Sequence, residues 1–240
     1  RKNIEFMRGS VTNLALMQRA CEGADYVFHL AAMVSAPGSI DKPLACHRIN
    51  VNGTLNVLLA AKRRKVKKVV CASSAAVYGN VYNANENSIL HPINCYGIAK
   101  KRGEKIIREK RTPYIILRFS NVYGKGGQGV ISKWKGNTVF NLVGELHYTR
   151  DFVHVTDVCK AIEKSIKSKV CNETFNISTG IETSLAQLGL IMNINALNVI
   201  KNHKKREIKF SSLCNKKAQK IIKWEPEINL KMGIQRYEQL

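Results

Sequence analysis

Tyr96 and Lys100 stand four residues apart, a spacing that puts a phenol and an ammonium on one side of a helix. A nearby cation favours the phenolate, so the pair has the makings of a proton acceptor. The demand is large: a phenol with a solution pKa of about 10 that acts near pH 7 needs a shift of about three units, or about 4 kcal/mol. Ser74 precedes the tyrosine by 22 residues, within Cys71-Ala72-Ser73-Ser74-Ala75-Ala76-Val77-Tyr78-Gly79. It lies just after a β-branched run, so its hydroxyl can sit at the carboxyl edge of a sheet, where open α/β sheets place ligands. Each feature alone has a plain structural alternative: an exposed Tyr–Lys pair, or a serine bonded to turn backbone. The combination points to chemistry.

Elements able to hold these groups recur along the chain in the rhythm of βαβ units. Tyr26 to Ala31 reads as a buried strand, Pro43 to Lys62 as an amphipathic helix, and Val66 to Ser73 as the next strand. Tyr96 to Glu109 is a helix, Tyr114 to Phe119 a strand, and Asp157 to Ser168 a helix with Val158, Ala161, Ile162 and Ile166 on one face. The fold class is α/β with a parallel sheet. Between Gly124 and Thr149 the periodicity breaks. After Lys169 come shorter elements: a strand at Thr174 to Ile177, a helix opened by the capping box Ser184 and Gln187, and helices at Asn215 to Lys223 and Leu230 to Tyr237. The expected division is a nucleotide-binding domain of residues 1–123 with 150–168 returning to it, and a smaller C-terminal substrate-binding lobe of 124–149 and 169–240.

Composition narrows the classes. Seven cysteines are scattered, odd in number and never spaced C-x-x-C, so neither a disulfide framework nor a metal site is expected, and a reducing cytoplasm is. No apolar run approaches the roughly 20 residues of a membrane span. The net charge of +22 gathers in runs such as Lys62 to Lys68, Lys100 to Arg111 and Lys201 to Lys209. These runs read as solvated helix faces, and no base-stacking platform accompanies them, so no specific nucleic-acid site is expected.

Several motifs occur in order: HLAA (His29 to Ala32), NVNGT (Asn50 to Thr54), SSAAVYG (Ser73 to Gly79), YGIAK (Tyr96 to Lys100), RFSNVYG (Arg118 to Gly124), RDFVHVTDV (Arg150 to Val158), ETFNISTG (Glu173 to Gly180) and KWEPEINLKMGI (Lys223 to Ile234). Together they resemble the extended short-chain dehydrogenases, and most of all the UDP-glucose 4-epimerases, over almost the whole chain. The resemblance implies a Rossmann-like doubly wound sheet, NAD as cofactor, a UDP-hexose as substrate and a homodimer through the helices around Ala45 to Lys62 and Tyr96 to Glu109. It implies that Tyr96 is the general base, that Lys100 lowers its pKa and holds the nicotinamide ribose, and that Ser74 bonds the reacting sugar hydroxyl. Val11, Leu30, Ala31, Ala32, Asn50 and Ser73 would join Tyr96 and Lys100 around the cofactor. Asn121 and Arg150 would meet the diphosphate of the sugar nucleotide.

The chain also departs from the resemblance. It lacks the strand, G-x-x-G-x-x-G turn and helix that bind pyrophosphate, and the second strand whose acidic residue holds the adenosine ribose. Residues 1–23 resemble the stretch just after that second strand, so the true start is expected upstream. The region around Lys204 to Cys214 lacks the familiar arginine and aspartate, with Lys204, Lys205, Arg206 and Lys209 as candidate replacements. Dehydratases of this fold carry an acidic pair after the active hydroxyl, where this chain has Ala75-Ala76. Reductases share the Tyr and Lys, and the alternative from another class is a non-catalytic binding protein. Without glycine-turn amides for the pyrophosphate, residues 1–240 alone are expected to bind NAD more weakly than micromolar. Calorimetric titration, set beside a form extended upstream, checks this, and micromolar or tighter binding by the short form would overturn it.

Overall fold

The structure is a computed structural model and describes residues 3–34, 36–110, 112–134, 139–143, 145–194, 196–200 and 207–238. The first part holds α1 (Leu14–Ala20), β1 (Tyr26–His29), α2 (Ala36–Asp41), α3 (Pro43–His47), a π-turn (Arg48–Asn52) and α4 (Gly53–Arg63). Next come β2 (Lys68–Ser74), a 3-10 turn (Ala75–Val77), β3 (Val81–Ala84), α5 (Cys95–Glu109) and β4 (Tyr114–Phe119). They are followed by β5 (Asn121–Tyr123), α6 (Val130–Trp134), β6 (Val139–Val143), β7 (Thr149–His154), α7 (Val155–Lys167) and β8 (Glu173–Ile177). The chain closes with β9 (Glu182–Ser184), α8 (Leu185–Ile191), β10 (Ala196–Ile200), β11 (Ser211–Leu213), α9 (Lys216–Ile222) and α10 (Leu230–Glu238).

The main sheet has the order β1-β2-β4-β8, parallel at every described pairing. Strands β2, β4 and β8 read as apolar runs because both faces are covered, whereas β1, expected to be buried, leaves Tyr26 and Phe28 exposed at the end of the sheet. On one face Val70, Ile115, Leu117, Phe175 and Ile177 pack against Val158 and Ala161 of α7 and against Ala218, Ile222 and Trp224. On the other, Val69, Cys71 and Ile116 meet Leu58, Ala60 and Ala61 of α4 and Ile107 of α5. The one-residue alternation between the two groups is the strand period itself. Each such side chain contributes about 1.5–3 kcal/mol by leaving water. This is the expected Rossmann-like doubly wound arrangement.

The expected helix from Pro43 to Lys62 is instead α3 and α4 joined by the π-turn, an insertion that places Asn50 and Val51 inward. The basic runs are not uniformly solvated. Lys68 is buried and donates to the carbonyls of Ser165 (3.2 Å) and Ser168 (2.5 Å), closing the C-terminus of α7. Lys201 to Arg206 lie outside the described residues. β1 ends the strand order, and Phe28 is 48% and Leu30 51% exposed.

β7 pairs with β5 on one side and antiparallel with β9 on the other, and β3 with β11. Asp151 in β7 is fully buried and accepts the amides of Thr179 (2.9 Å), Gly180 (3.0 Å) and Leu213 (3.4 Å). One carboxylate thereby ties three chain segments together. The capping box of α8 is present, Ser184 accepting from Gln187 N and Gln187 from Ser184 N.

α5 sits close to the 3-10 turn, and Gly97 permits it: a Cβ there would meet Ala76 O at 2.4 Å and Pro92 Cβ at 2.9 Å. Neither neighbour is a flexible side-chain end. Gly97→Ala should therefore lower stability by about 1–3 kcal/mol, even though alanine favours a helix over glycine by about 1 kcal/mol. Urea denaturation measures it, and an unchanged or higher midpoint would refute the close approach.

Candidate active site

α5 begins at Asn94, whose side chain accepts from Gly97 N (2.9 Å), while Tyr96 N donates to Ser39 Oγ (3.1 Å). These two bonds start the helix against the carboxyl end of β2. There Ser74, extended at the strand terminus, caps the 3-10 turn by accepting from Ala76 N (3.2 Å). Its hydroxyl is close enough to the Tyr96 phenol to favour the phenolate. Lys100 Nζ lies 5.9 Å from the centroid of the Tyr96 ring and donates to Ala72 O (2.8 Å). The structure thus brings together the three residues whose types and spacing pointed to chemistry.

Their electrostatics are less simple than the spacing suggested. Burial pushes the Tyr96 phenol above its ordinary pKa, and the neighbouring Ser74 hydroxyl works in the opposite direction. Burial also pulls Lys100 down to about 8, against the opposing influence of Cys71, Cys46 and Glu104. Lys100 bonds to the strand backbone, and desolvation weighs against the charged form of both groups.

The other candidates divide. Leu30 and Ala31 come directly after β1 and are exposed, and Ala32 is half-buried. Asn50 is committed elsewhere: its Oδ1 accepts from Met33 N (2.8 Å) and its Nδ2 donates to Met33 O (3.0 Å). That clamp holds the segment after β1. Ser73 is buried and donates to Glu104 Oε1 (2.6 Å). Val11 packs on Gly53, and its carbonyl accepts from Asn56 Nδ2 (3.0 Å). Asn121 is exposed at the head of β5, beside a small cleft with Tyr123, Gly129 and Ser132.

Arg150 departs most from expectation. Its Nη1 donates to the carbonyls of Thr149 (2.7 Å) and Lys209 (3.2 Å), and Nη2 to Ile208 (2.7 Å). Both Nη1 hydrogens are used, so two-toothed pairing with a diphosphate could draw only on Nε–H and the second Nη2–H. Arg150 straps the segment before β11 to β7, a contact between residues 58 and 59 apart that local spacing could not foretell.

His29 stands in the sequence only as part of a motif, yet it adjoins the site. The single Thr54 hydroxyl hydrogen goes to Asn50 O (2.7 Å), so in the 2.9 Å contact with His29 the ring Nε2–H must be the donor. Burial, with Lys100 adding, pushes His29 down to about 4.

These residues fit the nicotinamide end of NAD. Lys100 Nζ keeps two of its three hydrogens for ribose hydroxyls, Tyr96 and Ser74 stand beside it, and Leu30 offers an apolar wall. Among the described residues no group of His, Cys, Asp or Glu could hold a metal ion. No described helix is long and apolar enough to cross a membrane.

A doubly wound parallel sheet with Ser, Tyr and Lys at its carboxyl edge defines a short-chain dehydrogenase of the extended type. The chain belongs to the NAD dependent epimerase/dehydratase family, whose sequence profile matches residues 1–178. A relative from Methanocaldococcus jannaschii is 35% identical across 97% of this chain and 82% of its own length. The UDP-glucuronate 4-epimerase of Thermodesulfobacterium geofontis is 26% identical across 98% and 78%. The crystal structure of Thermotoga maritima UDP-glucose 4-epimerase with UDP-glucose superposes with a TM-score of 0.90 at 30% identity, covering 100% of this chain and 84% of that one. NAD is the cofactor of the family and of this enzyme.

Because the folded-state pKa of His29 is depressed, the unfolded chain takes up that proton first as the pH falls. Stability is lost from about pH 6.5 down to about pH 4. By pH 5 the loss should reach about 2 kcal/mol, and His29→Asn should largely abolish that increment. Denaturant titrations of both proteins at pH 7 and pH 5 give the comparison; parallel losses would refute the assignment.

Proposed function

We propose that this enzyme is a UDP-hexose 4-epimerase, interconverting UDP-glucose and UDP-galactose through a 4-keto sugar. The observation that carries the reading is the convergence of Ser74, Tyr96 and the Lys100 ammonium at the carboxyl end of β2. When bound, NAD supplies a reversible acceptor for the hydrogen and electron pair of the sugar carbon, and its oxidised ring adds positive charge near the phenol. Tyr96 takes the proton of the sugar 4-hydroxyl at its phenolic oxygen and returns it once the keto sugar presents its other face. Ser74 donates a hydrogen bond to the sugar O4, which fixes the hydroxyl against the phenol. Lys100 holds the ribose and keeps a positive charge near the developing phenolate. General base catalysis of this kind is worth about 10²–10⁴ in rate.

The turn after Ser74 supports epimerisation over 4,6-dehydration. Loss of water from carbons 5 and 6 requires an acid and a base, whereas Ala75 and Ala76 occupy that turn and are buried. Asn121 and the unused Arg150 hydrogens would lie toward the diphosphate. A dimer would use α4 and α5, where Leu59 and Ile98 are exposed.

In a form that carries the complete cofactor site, Tyr96→Phe should lower turnover by at least about a hundredfold and leave sugar-nucleotide binding nearly unchanged. Lys100→Met should resemble it, and Ser74→Ala should be milder. Chromatography of the products from UDP-glucose and UDP-glucuronate, with absorbance of reduced cofactor in parallel, is the assay. Near-normal turnover by Tyr96→Phe would refute the mechanism, epimerisation of the uronate alone would reassign the substrate, and stoichiometric cofactor reduction would indicate a dehydrogenase instead.

A further inference from the structure

Tyr96, Lys100 and Glu104 recur every four residues and so run along one side of α5. The third is a carboxylate that the chemistry above does not use, and it is 1% exposed. Oε1 accepts from Ser73 Oγ (2.6 Å) and Arg118 Nε (2.9 Å), and Oε2 from Arg118 Nη2 (2.7 Å) and Arg108 Nη2 (3.0 Å). Arg118, on β4, is 2% exposed and continues the chain: Nη1 donates to the Tyr78 hydroxyl (2.7 Å) and to Glu86 O (3.3 Å). The Tyr78 hydroxyl donates to Asn176 Oδ1 (2.8 Å), and Asn176 Nδ2 donates to Ala84 O (2.9 Å) and Cys214 O (3.1 Å).

Stability alone does not explain such a network. A buried ion pair about breaks even against apolar residues of the same volume, and its best-attested advantage is fixing one arrangement among several. Here the fixed arrangement is the active site. Ser73 immediately precedes Ser74 on β2, and Tyr78 comes directly after the turn that Ser74 caps. Anchoring both flanks fixes where the Ser74 hydroxyl sits. Anchoring Glu104 one turn beyond Lys100 fixes the rotation of α5, and with it Tyr96.

We propose that the buried Glu104–Arg118 pair, acting through Ser73, is the positioning element that sets the geometry of Ser74, Tyr96 and Lys100. The proposal rests on the epimerase reading for its kinetic consequence and on the structure alone for its geometry. None of these residues touches the reacting atoms. Their effect is on the placement of the Ser74 hydroxyl relative to the Tyr96 phenol, where a displacement of about 1 Å is enough to cost about a hundredfold in rate.

Two variants test it. Ser73→Ala removes one bond from Glu104 and leaves every charge paired. Glu104→Met with Arg118→Leu removes both buried charges together, so neither is stranded. Each is measured for kcat, KM and thermal midpoint. The Tyr96 phenol is followed by ¹³C NMR of tyrosine-labelled protein, its resonance assigned with Tyr96→Phe. The expected result is a fall in kcat of about tenfold or more with KM within about threefold. The Tyr96 resonance should move while those of distant tyrosines stay. An unmoved Tyr96 resonance would overturn the proposal, whether kcat holds or falls together with the thermal midpoint. Should the double variant not fold, Ser73→Ala decides alone. If a form shown to bind NAD epimerises no UDP-sugar, the functional reading fails, and the NMR arm still judges the positioning.

Discussion

Glu104 is a carboxylate in a protein interior, where burial alone would drive it to keep its proton. The Arg118 guanidinium, by hydrogen bonds and charge, holds it instead below the usual carboxylate range, with Ser73 and Arg108 adding to the effect. That contact joins α5 to β2 and β4 at the height of the catalytic groups, and Gly97 lets the same helix approach the 3-10 turn. Packing on both faces of the sheet holds the layers together, but packing is tolerant of small slides. Directional bonds to a buried charge are not.

A second consequence concerns acid–base chemistry in a dry site. Burial weighs against the charged form of Tyr96, Lys100 and His29 alike. A phenolate in such surroundings needs positive charge brought close to it. The fold keeps Lys100 within 5.9 Å of the ring, and an oxidised nicotinamide would add the rest. Reactivity would then be tied to cofactor occupancy, which suits a reaction that oxidises and reduces the same carbon.

The segments from β7 to β11 are held by contacts of another kind. Asp151 gathers three backbone amides, and Arg150 ties β7 to the stretch before β11. Lys209 N donates to Asn80 Oδ1 (2.6 Å), just after the turn that carries Ser74, so substrate-side loops and the catalytic edge share a continuous set of bonds.

Much of this was legible in the amino-acid sequence. Apolar runs and helical periods marked β4, α5, α7, α8, α9 and α10 within a residue or two, because each buries a face whose spacing is local. The Tyr96, Lys100 and Ser74 constellation was legible for the same reason: a helix turn and a strand end are short-range facts. The short strands β3, β5, β9 and β11 were not, since three or four residues become a strand only when a partner supplies its hydrogen bonds. Nor were the hydrogen-bond partners of Ser73, Asn50 and Arg150. Each carries a side chain that could serve a ligand, and only the fold decides that Glu104, Met33 and the carbonyls of residues 208 and 209 reach it first. The sequence determines which groups can react. Tertiary structure decides which remain free to do so, because a hydrogen bond satisfied inside the protein is no longer available at its surface.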